Sequence, residues 1–70
     1  MDVQERLGAR IRAIRHLKGM TQADLAKASQ QQRAYLSQLE NGKFSARIDT
    51  LHLIAKGLRV TLAEMFDGVE

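Results

Sequence analysis

The outward-facing positions between Gln32 and Gln38 carry the side chains with the most specific chemistry in this 70-residue chain. They present amides, a hydroxyl and one guanidinium, without a mixture of opposite charges. Such groups form hydrogen bonds with base edges in a DNA groove, where an amide suits adenine and a guanidinium suits guanine. The side-chain types of this segment therefore predict contact with double-stranded DNA.

Two short helices, at about residues 22–28 and 32–40, must position these side chains. Thr21 is an N-cap candidate, and Asp24 follows three residues later in a pattern close to a capping box. Two small apolar stripes, separated by a polar interval, indicate one helix each, and the second stripe has the i, i+3 spacing of a helix. The stripes consist of Leu25 and Ala26, and of Leu36 and Leu39. Asn41-Gly42 ends the second helix, because both residues tolerate the left-handed conformation.

Apolar spacing predicts three further helices, which complete an all-α domain of five helices over residues 1–70. The first spans residues 4–18, the fourth follows an N-cap at Asp49 or Thr50, and the last begins with a Thr61–Glu64 capping box. The stripes of the first and fourth helices are Val3, Leu7, Ile11 and Ile14, and Leu51, Ile54, Ala55 and Leu58. Gly8 costs roughly 1 kcal/mol within a helix relative to Ala, so we expect a close helix crossing there.

Charge is distributed unevenly along the chain. All 11 Lys and Arg residues and five of the eight acids lie before residue 60, giving +6, whereas the remaining three acids give the last residues −3. A basic body favours a polyanionic partner, although solvated helix faces would explain the composition equally well. Two acids near the start, Asp2 and Glu5, argue against a signal peptide. No apolar run approaches the ~20 residues of a membrane span, so a cytoplasmic, nucleoid-associated location is expected.

The chain resembles the XRE-type helix-turn-helix family, to which Cro and the phage repressors belong. The resemblance covers about residues 6–66, with every predicted helix in register. Its motifs are Gly8, Ile11 and Arg15; Gly19-Met20-Thr21-Gln22; Leu25-Ala26; Tyr35-Leu36-Ser37; Leu39-Glu40-Asn41-Gly42-Lys43; Thr50-Leu51; Ile54-Ala55; and Leu58 and Val60. It implies a phage-repressor-like domain that binds operator DNA as a two-fold dimer, with helices 2 and 3 forming the helix-turn-helix. It also implies an internal ion pair between Arg15 and Glu40.

Four positions depart from the family pattern. The family usually has Gly at the positions of Gln30 and Arg59. It usually has an apolar residue at the position of Gln31 and Pro at the position of Ala46. A left-handed Gln30 would cost ~1 kcal/mol, and the Gln31 amide would need a hydrogen-bonding partner. Either helix 2 extends further or helix 3 starts earlier if the chain avoids this strain.

Two sets of residues are expected to contact DNA. The base-contacting set is Gln32, Arg33, Ala34, Ser37 and Gln38, where Ala34 suits a thymine methyl group. The phosphate-contacting set is Thr21, Gln22, Tyr35, Asn41, Lys43 and Arg47. Tyr35 has an equally favoured alternative, which is packing on the loop after helix 3. His16 and His52 lie on separate helices, so structural or solvent roles are favoured over metal binding.

The end of the chain is expected to form a dimer interface. It holds more apolar surface than a short terminal helix can bury in a small domain. The predicted interface residues are Val60, Leu62, Met65, Phe66 and Val69. In the alternative interpretation, Met65 and Phe66 complete the core over helix 1.

These features favour a small stand-alone transcriptional regulator that binds a roughly palindromic operator as a homodimer. Phage repressors, restriction–modification controllers and antitoxins are all compatible with it. The alternative is an antitoxin-like protein-interaction module, in which helix 3 binds a protein. An enzyme is least favoured, because no paired carboxylates or nucleophile–base set stands out. The chain has no cysteine, and no metal or other cofactor is expected.

Overall fold

The computed structural model describes all 70 residues, and they form five helices and no strand. The helices are α1 Val3–Leu17, α2 Gln22–Ala28, α3 Arg33–Glu40, α4 Ile48–Leu58 and α5 Leu62–Met65. The predicted all-α class and helix count are confirmed. The α2 bounds also agree with the prediction, whereas α1 is displaced by one residue and α3 begins one residue later.

Capping boxes begin three of the five helices. The predicted Thr21–Asp24 and Thr61–Glu64 boxes are both present, each with reciprocal hydrogen bonds between the side chains and the backbone N–H groups. A third box, Asp2–Glu5, begins α1 and was not predicted. Because these boxes satisfy backbone N–H groups left free at a helix start, local sequence defines these three starts.

The predicted N-cap of α4 is wrong. Arg47 occupies that position in an extended conformation and makes no side-chain capping bond, so the helix begins at Ile48. Asp49 and Thr50 therefore lie in the first turn. A carboxylate there still interacts favourably with the positive end of the helix dipole, which explains why the sequence pattern resembled a cap.

A single core lies among the helices, and α1 crosses the C-terminal end of α3 near Gly8. A methyl group on Gly8 would lie 2.7 Å from the Glu40 carbonyl oxygen, which confirms the expected close crossing. Thirteen apolar residues form this core: Leu7, Ile11, Ile14, Leu25, Ala26, Leu36, Leu39, Leu51, Ile54, Ala55, Leu58, Met65 and Val69. Val3 was predicted to join the α1 stripe but is 57% exposed, because it lies at the helix end beyond the crossing.

The turn between α2 and α3 contains the departures from the family pattern. Gln30 adopts a left-handed conformation with φ of 60°. The Gln31 N–H donates to the Ala26 carbonyl at 2.9 Å and the Gln30 N–H to that of Lys27 at 3.3 Å, a Schellman ending. The Gln31 side-chain amide donates to the Ser29 carbonyl at 3.0 Å, which supplies its partner. Thus α2 does not extend and α3 does not start early.

Arg59 ends α4 as Gln30 ends α2, in a left-handed conformation with φ of 60°. Gly57 serves a different purpose within α4. A methyl group at Gly57 would lie 3.2 Å from both the backbone of Ala28 and the Cβ of Ser29. The absence of a side chain therefore permits close packing of α4 against the end of α2.

Candidate nucleic-acid interface

One face of α3 is buried and the other is polar and open. Leu36 and Leu39 lie in the core. The predicted base-contacting residues lie on or beside the opposite face: Gln32, Arg33, Ala34 and Gln38 are exposed and Ser37 is half-buried. Their DNA contacts stay predictions, and their placement at the start and along one side of α3 is compatible with entry into a groove.

A buried ion pair joins α3 to α1. The Arg15 guanidinium donates from Nε to Glu40 Oε2 at 2.8 Å and from a terminal nitrogen to Oε1 at 2.9 Å. Its other terminal nitrogen donates to the Met20 carbonyl at 2.9 Å. The ion pair implied by the family resemblance is therefore present. It fixes the C-terminal end of α3 relative to α1 and the turn that precedes α2.

Gln22 is connected to the same ion pair. Its side-chain amide donates to Glu40 Oε1 at 3.2 Å. The side chain predicted to contact phosphate is thus already engaged within the protein. A phosphate contact at this position would come from the backbone N–H of Gln22, or from the side chain after it releases Glu40.

The remaining predicted phosphate residues border the polar face from two sides. Thr21 is exposed at the start of α2, although its hydroxyl already accepts the Asp24 N–H at 3.0 Å. Asn41, Lys43 and Arg47 are exposed after α3. Arg47 lies 3.5 Å from an Asp49 carboxylate oxygen in an open ion pair, which water screens strongly.

Tyr35 packs on the loop after α3. Its ring stacks on Phe44, with centroids 5.4 Å apart and planes 19° apart. This contact agrees with the loop-packing alternative. It also fixes the direction of the loop that carries Lys43, while the phosphate contact of the hydroxyl stays a prediction.

Two α1 residues that sequence reasoning missed share a cleft with the predicted DNA contacts. Arg12 and His16 line an open, polar cavity of about 620 Å³ together with part of α3 and the start of α2. The other residues lining it are Arg15, Met20, Thr21, Gln22, Arg33, Glu40 and Asn41. The four-residue spacing of Arg12 and His16 on the polar side of α1 could have indicated a shared face, but only the fold shows what that face adjoins.

The five predicted dimer residues do not form one surface. Met65 and Val69 are 0% and 3% exposed, so both belong to the core and drop out of the predicted interface. Val60, Leu62 and Phe66 are half-buried. Val60 lines a cavity beside Arg10, whereas Phe66 lines a different one with Val3 and Phe44.

Of the exposed large apolar side chains, Val3, Phe44 and Ile48 lie around the loop after α3, whereas Leu17 lies at the end of α1. Val3, Phe44 and Phe66 line one small cavity, and Leu51 forms part of its wall. Ile48 lies one helical turn before Leu51 and is 67% exposed. We call Val3, Phe44, Ile48 and Phe66 the Phe44 surface.

Two capping carboxylates have lowered pKa values. The backbone N–H of Thr21, followed by its hydroxyl, lowers the pKa of Asp24 below 3.8. The corresponding groups of Thr61 lower the pKa of Glu64 below 4.5. Hydrogen bonding to the ionised form explains both directions.

No helix is long and apolar enough to cross a membrane. No group of three or more His, Cys, Asp or Glu side chains is placed to hold a metal ion.

Comparison with known proteins found a matching family and several similar chains. A family model described as helix-turn-helix matches residues 11–65. The chain is 33% identical over 70 residues to the control protein C.MunI of a Mycoplasma species, covering 99% of this chain and 95% of that protein. It is 34% identical over 65 residues to the HTH-type transcriptional regulator DdrOP3 of Deinococcus deserti, covering 93% of this chain and 50% of that protein. The chain thus spans half the length of DdrOP3.

The fold is similar to that of a solved controller protein. The crystal structure of the restriction-modification controller C.AhdI from Aeromonas hydrophila superposes with a TM-score of 0.88 at 28% identity. The match covers 90% of this chain and 96% of C.AhdI.

Proposed function

The chain belongs to the helix-turn-helix family of DNA-binding transcriptional regulators, and we propose that it binds a roughly palindromic operator as a homodimer. In this complex α3 lies in the major groove. The observation that carries the proposal is the two-sided character of α3, which buries Leu36 and Leu39 while Gln32, Arg33 and Gln38 remain exposed. Burial of the apolar side fixes the direction in which the amides and guanidinium project.

Rigidity of α3 supports direct base contact. Glu40 at its C-terminal end is held by two hydrogen bonds from Arg15, while Leu36 and Leu39 fix its middle in the core. A base-contacting side chain must be placed within hydrogen-bonding distance before binding can discriminate between bases. Such a helix discriminates with little reordering on binding.

Affinity and sequence discrimination divide between two groups of residues. Lys43, Arg47 and Asn41 are exposed on the loop that follows α3 and are suited to phosphates, which supply affinity without sequence information. Arg33 and the exposed glutamines supply the discrimination, with each good bidentate contact contributing about 1–3 kcal/mol.

The Phe44 surface supports association with a second copy. It places exposed Val3 beside half-buried Phe66, and exposed Ile48 lies one helical turn before Leu51, which lines the same cavity. Burial of exposed apolar side chains against a symmetric partner is favourable. A two-fold dimer would place the two copies of α3 about 34–36 Å apart, one turn of DNA.

A controller role is one specific function named among the relatives. The control protein C.MunI is matched over 95% of its length and the restriction-modification controller C.AhdI over 96%. We propose the same role here, in the cytoplasm and on the nucleoid.

Selection of bound sites from random duplex DNA tests the proposal. We expect enrichment of two inverted half-sites whose centres are one helical turn apart, with affinity that falls steeply as salt increases. If the selected DNA contains no enriched sequence, sequence-specific binding is refuted. If it contains a single half-site, the two-fold dimer is refuted.

A further inference from the structure

We propose that Arg12 and His16 of α1 form, with Asn41, a binding site for a phosphate of the operator backbone, outside the helix-turn-helix itself. This inference rests on the proposed DNA binding and adds a contact that α2 and α3 do not supply. We call the site, defined by Arg12, His16 and Asn41, the α1 cleft.

The three residues lie where two open cavities adjoin. Arg12, His16 and Asn41 line a cavity of about 620 Å³ that faces Thr21 and Arg33, and they also line one of about 440 Å³ beside the start of α1. Arg12 and His16 are four residues apart on α1 and project from one face of the helix. The cleft is thus accessible from solvent and bounded by donors on two elements.

The charge within the cleft is positive. Arg15 and Glu40 neutralise each other at 2.8 Å. Arg12 and Arg33 take part in no ion pair and donate no hydrogen bond within the protein: the two ion pairs are Arg15–Glu40 and Arg47–Asp49. The guanidiniums of Arg12 and Arg33, which have no acceptor within the protein, therefore lie beside the neutral Arg15–Glu40 ion pair.

Glu5 is the other acid beside the cleft, and it is already engaged. Its carboxylate accepts the backbone N–H of Asp2 at 3.1 Å, within the capping box of α1. It lines the 440 Å³ cavity and does not line the 620 Å³ cavity. An anion that enters the 620 Å³ cavity beside Arg12 therefore does so on the side away from Glu5.

The basic residues of α1 are divided between two environments. Arg6 donates to the Glu70 carbonyl at 2.9 Å and Arg10 to the Glu64 carbonyl at 3.0 Å, so both contact the C-terminal part of the chain. Arg12 is exposed and has no such acceptor. The free guanidinium of α1 is thus the one on the α3 side.

The position of the cleft favours the DNA backbone as its ligand. The first helix of a helix-turn-helix crosses the phosphate backbone while the second enters the major groove. Thr21 and Gln22, at the start of α2, share the cavity with Arg12, and so does Arg33 of α3. A backbone that passes the start of α2 while α3 contacts bases comes within reach of Arg12 and His16. A planar guanidinium with several donors matches phosphate geometry.

Salt-dependent DNA binding by Arg12→Ala, with Arg6→Ala as the control, tests this site. Both substitutions remove one exposed positive charge from α1, but Arg6 lies outside the cleft. We expect Arg12→Ala to weaken binding to operator DNA and to random duplex DNA by the same factor. It should also lower the slope of log affinity against log salt concentration by about 1. Arg6→Ala should leave that slope unchanged.

Two further variants distinguish a local contact from a general charge effect. Arg12→Lys should recover part of the lost affinity, because it restores the charge without the guanidinium geometry. The combined Arg12→Ala and His16→Gln substitution should bind more weakly than Arg12→Ala alone. A thermal melt of each variant checks that the fold is retained.

The outcomes separate this inference from the DNA-binding proposal. Wild-type protein that binds no duplex DNA would overturn both. Wild-type binding with equal salt slopes for Arg12→Ala and Arg6→Ala would overturn only the α1 cleft. A loss confined to the operator would also overturn it, because that result would assign Arg12 to base contact.

Discussion

The Arg15 guanidinium donates two hydrogen bonds to the Glu40 carboxylate, and the Gln22 amide donates a third at 3.2 Å. This arrangement joins α1, the start of α2 and the end of α3 through a single carboxylate. The ion pair is buried, whereas the Arg47–Asp49 pair is open to solvent. The two pairs should therefore differ sharply in their effect on stability.

Glu40→Gln should destabilise the fold by about 3–5 kcal/mol, because it leaves the Arg15 charge buried without its counterion. Such a loss is a large fraction of the total for a domain of this size, at roughly 0.05–0.15 kcal/mol per residue. Urea unfolding measures the change. Asp49→Asn is the control and should cost less than about 1 kcal/mol. Similar losses for the two variants would contradict the importance of burial.

Gln30→Gly should stabilise the protein by about 1 kcal/mol, because glycine adopts a left-handed conformation without the steric penalty of a side chain. The same measurement on Gln30→Ala supplies the control, since alanine retains Cβ and should bring no such gain. If alanine stabilises as much as glycine, backbone strain at φ of 60° is not the cause.

Arg33→Ala should weaken binding to the preferred operator far more than binding to random DNA, because a bidentate base contact contributes about 1–3 kcal/mol of discrimination. Fluorescence anisotropy with both duplexes measures the difference. Lys43→Ala is the comparison: a phosphate contact should lower affinity for both duplexes alike. An equal loss on both duplexes for Arg33→Ala would move Arg33 to the phosphate-contacting set.

Ile48→Glu should shift the protein towards monomer in sedimentation velocity and weaken operator binding, because it places a charge in the proposed apolar interface. Phe66→Glu should act in the same direction. Ile48 is 67% exposed, so its substitution leaves the core intact. Leu17→Glu is the control, since Leu17 is 83% exposed at the end of α1, outside the Phe44 surface. Dissociation by Leu17→Glu alone would place the interface at the end of α1.

Acid should remove the stability contributed by the capping carboxylates. The pKa values of Asp24 and Glu64 lie below their ordinary 3.8 and 4.5. A lowered folded-state pKa contributes stability above the unfolded-state pKa, and this contribution is lost as pH falls through the folded-state value. Below about pH 4.5, the wild type should therefore lose stability more steeply than the Asp24→Asn, Glu64→Gln double variant.

Urea unfolding at a series of pH values measures this difference. Asp67→Asn is a suitable control, because its carboxylate accepts no hydrogen bond from a helix start. Parallel curves for the wild type and the double variant would show that the capping boxes do not contribute to acid sensitivity.

The sequence by itself determined the helices and the class of partner. Apolar spacing located all five helices, and the Thr21–Asp24 and Thr61–Glu64 boxes defined two starts, because caps and stripes are local interactions between residues three or four apart. The family resemblance supplied the Arg15–Glu40 pair. Gly8 indicated a close crossing, since glycine within a helix is costly unless another backbone approaches.

Only the tertiary structure decided which apolar side chains are covered and which polar ones share a cleft. Val3 belongs to the α1 stripe by spacing but is exposed, whereas Met65 and Val69 are enclosed in the core. Arg12 and Arg33 are 21 residues apart in sequence and line one cavity. Burial and proximity depend on how helices cross, and crossings bring together residues that no local pattern connects.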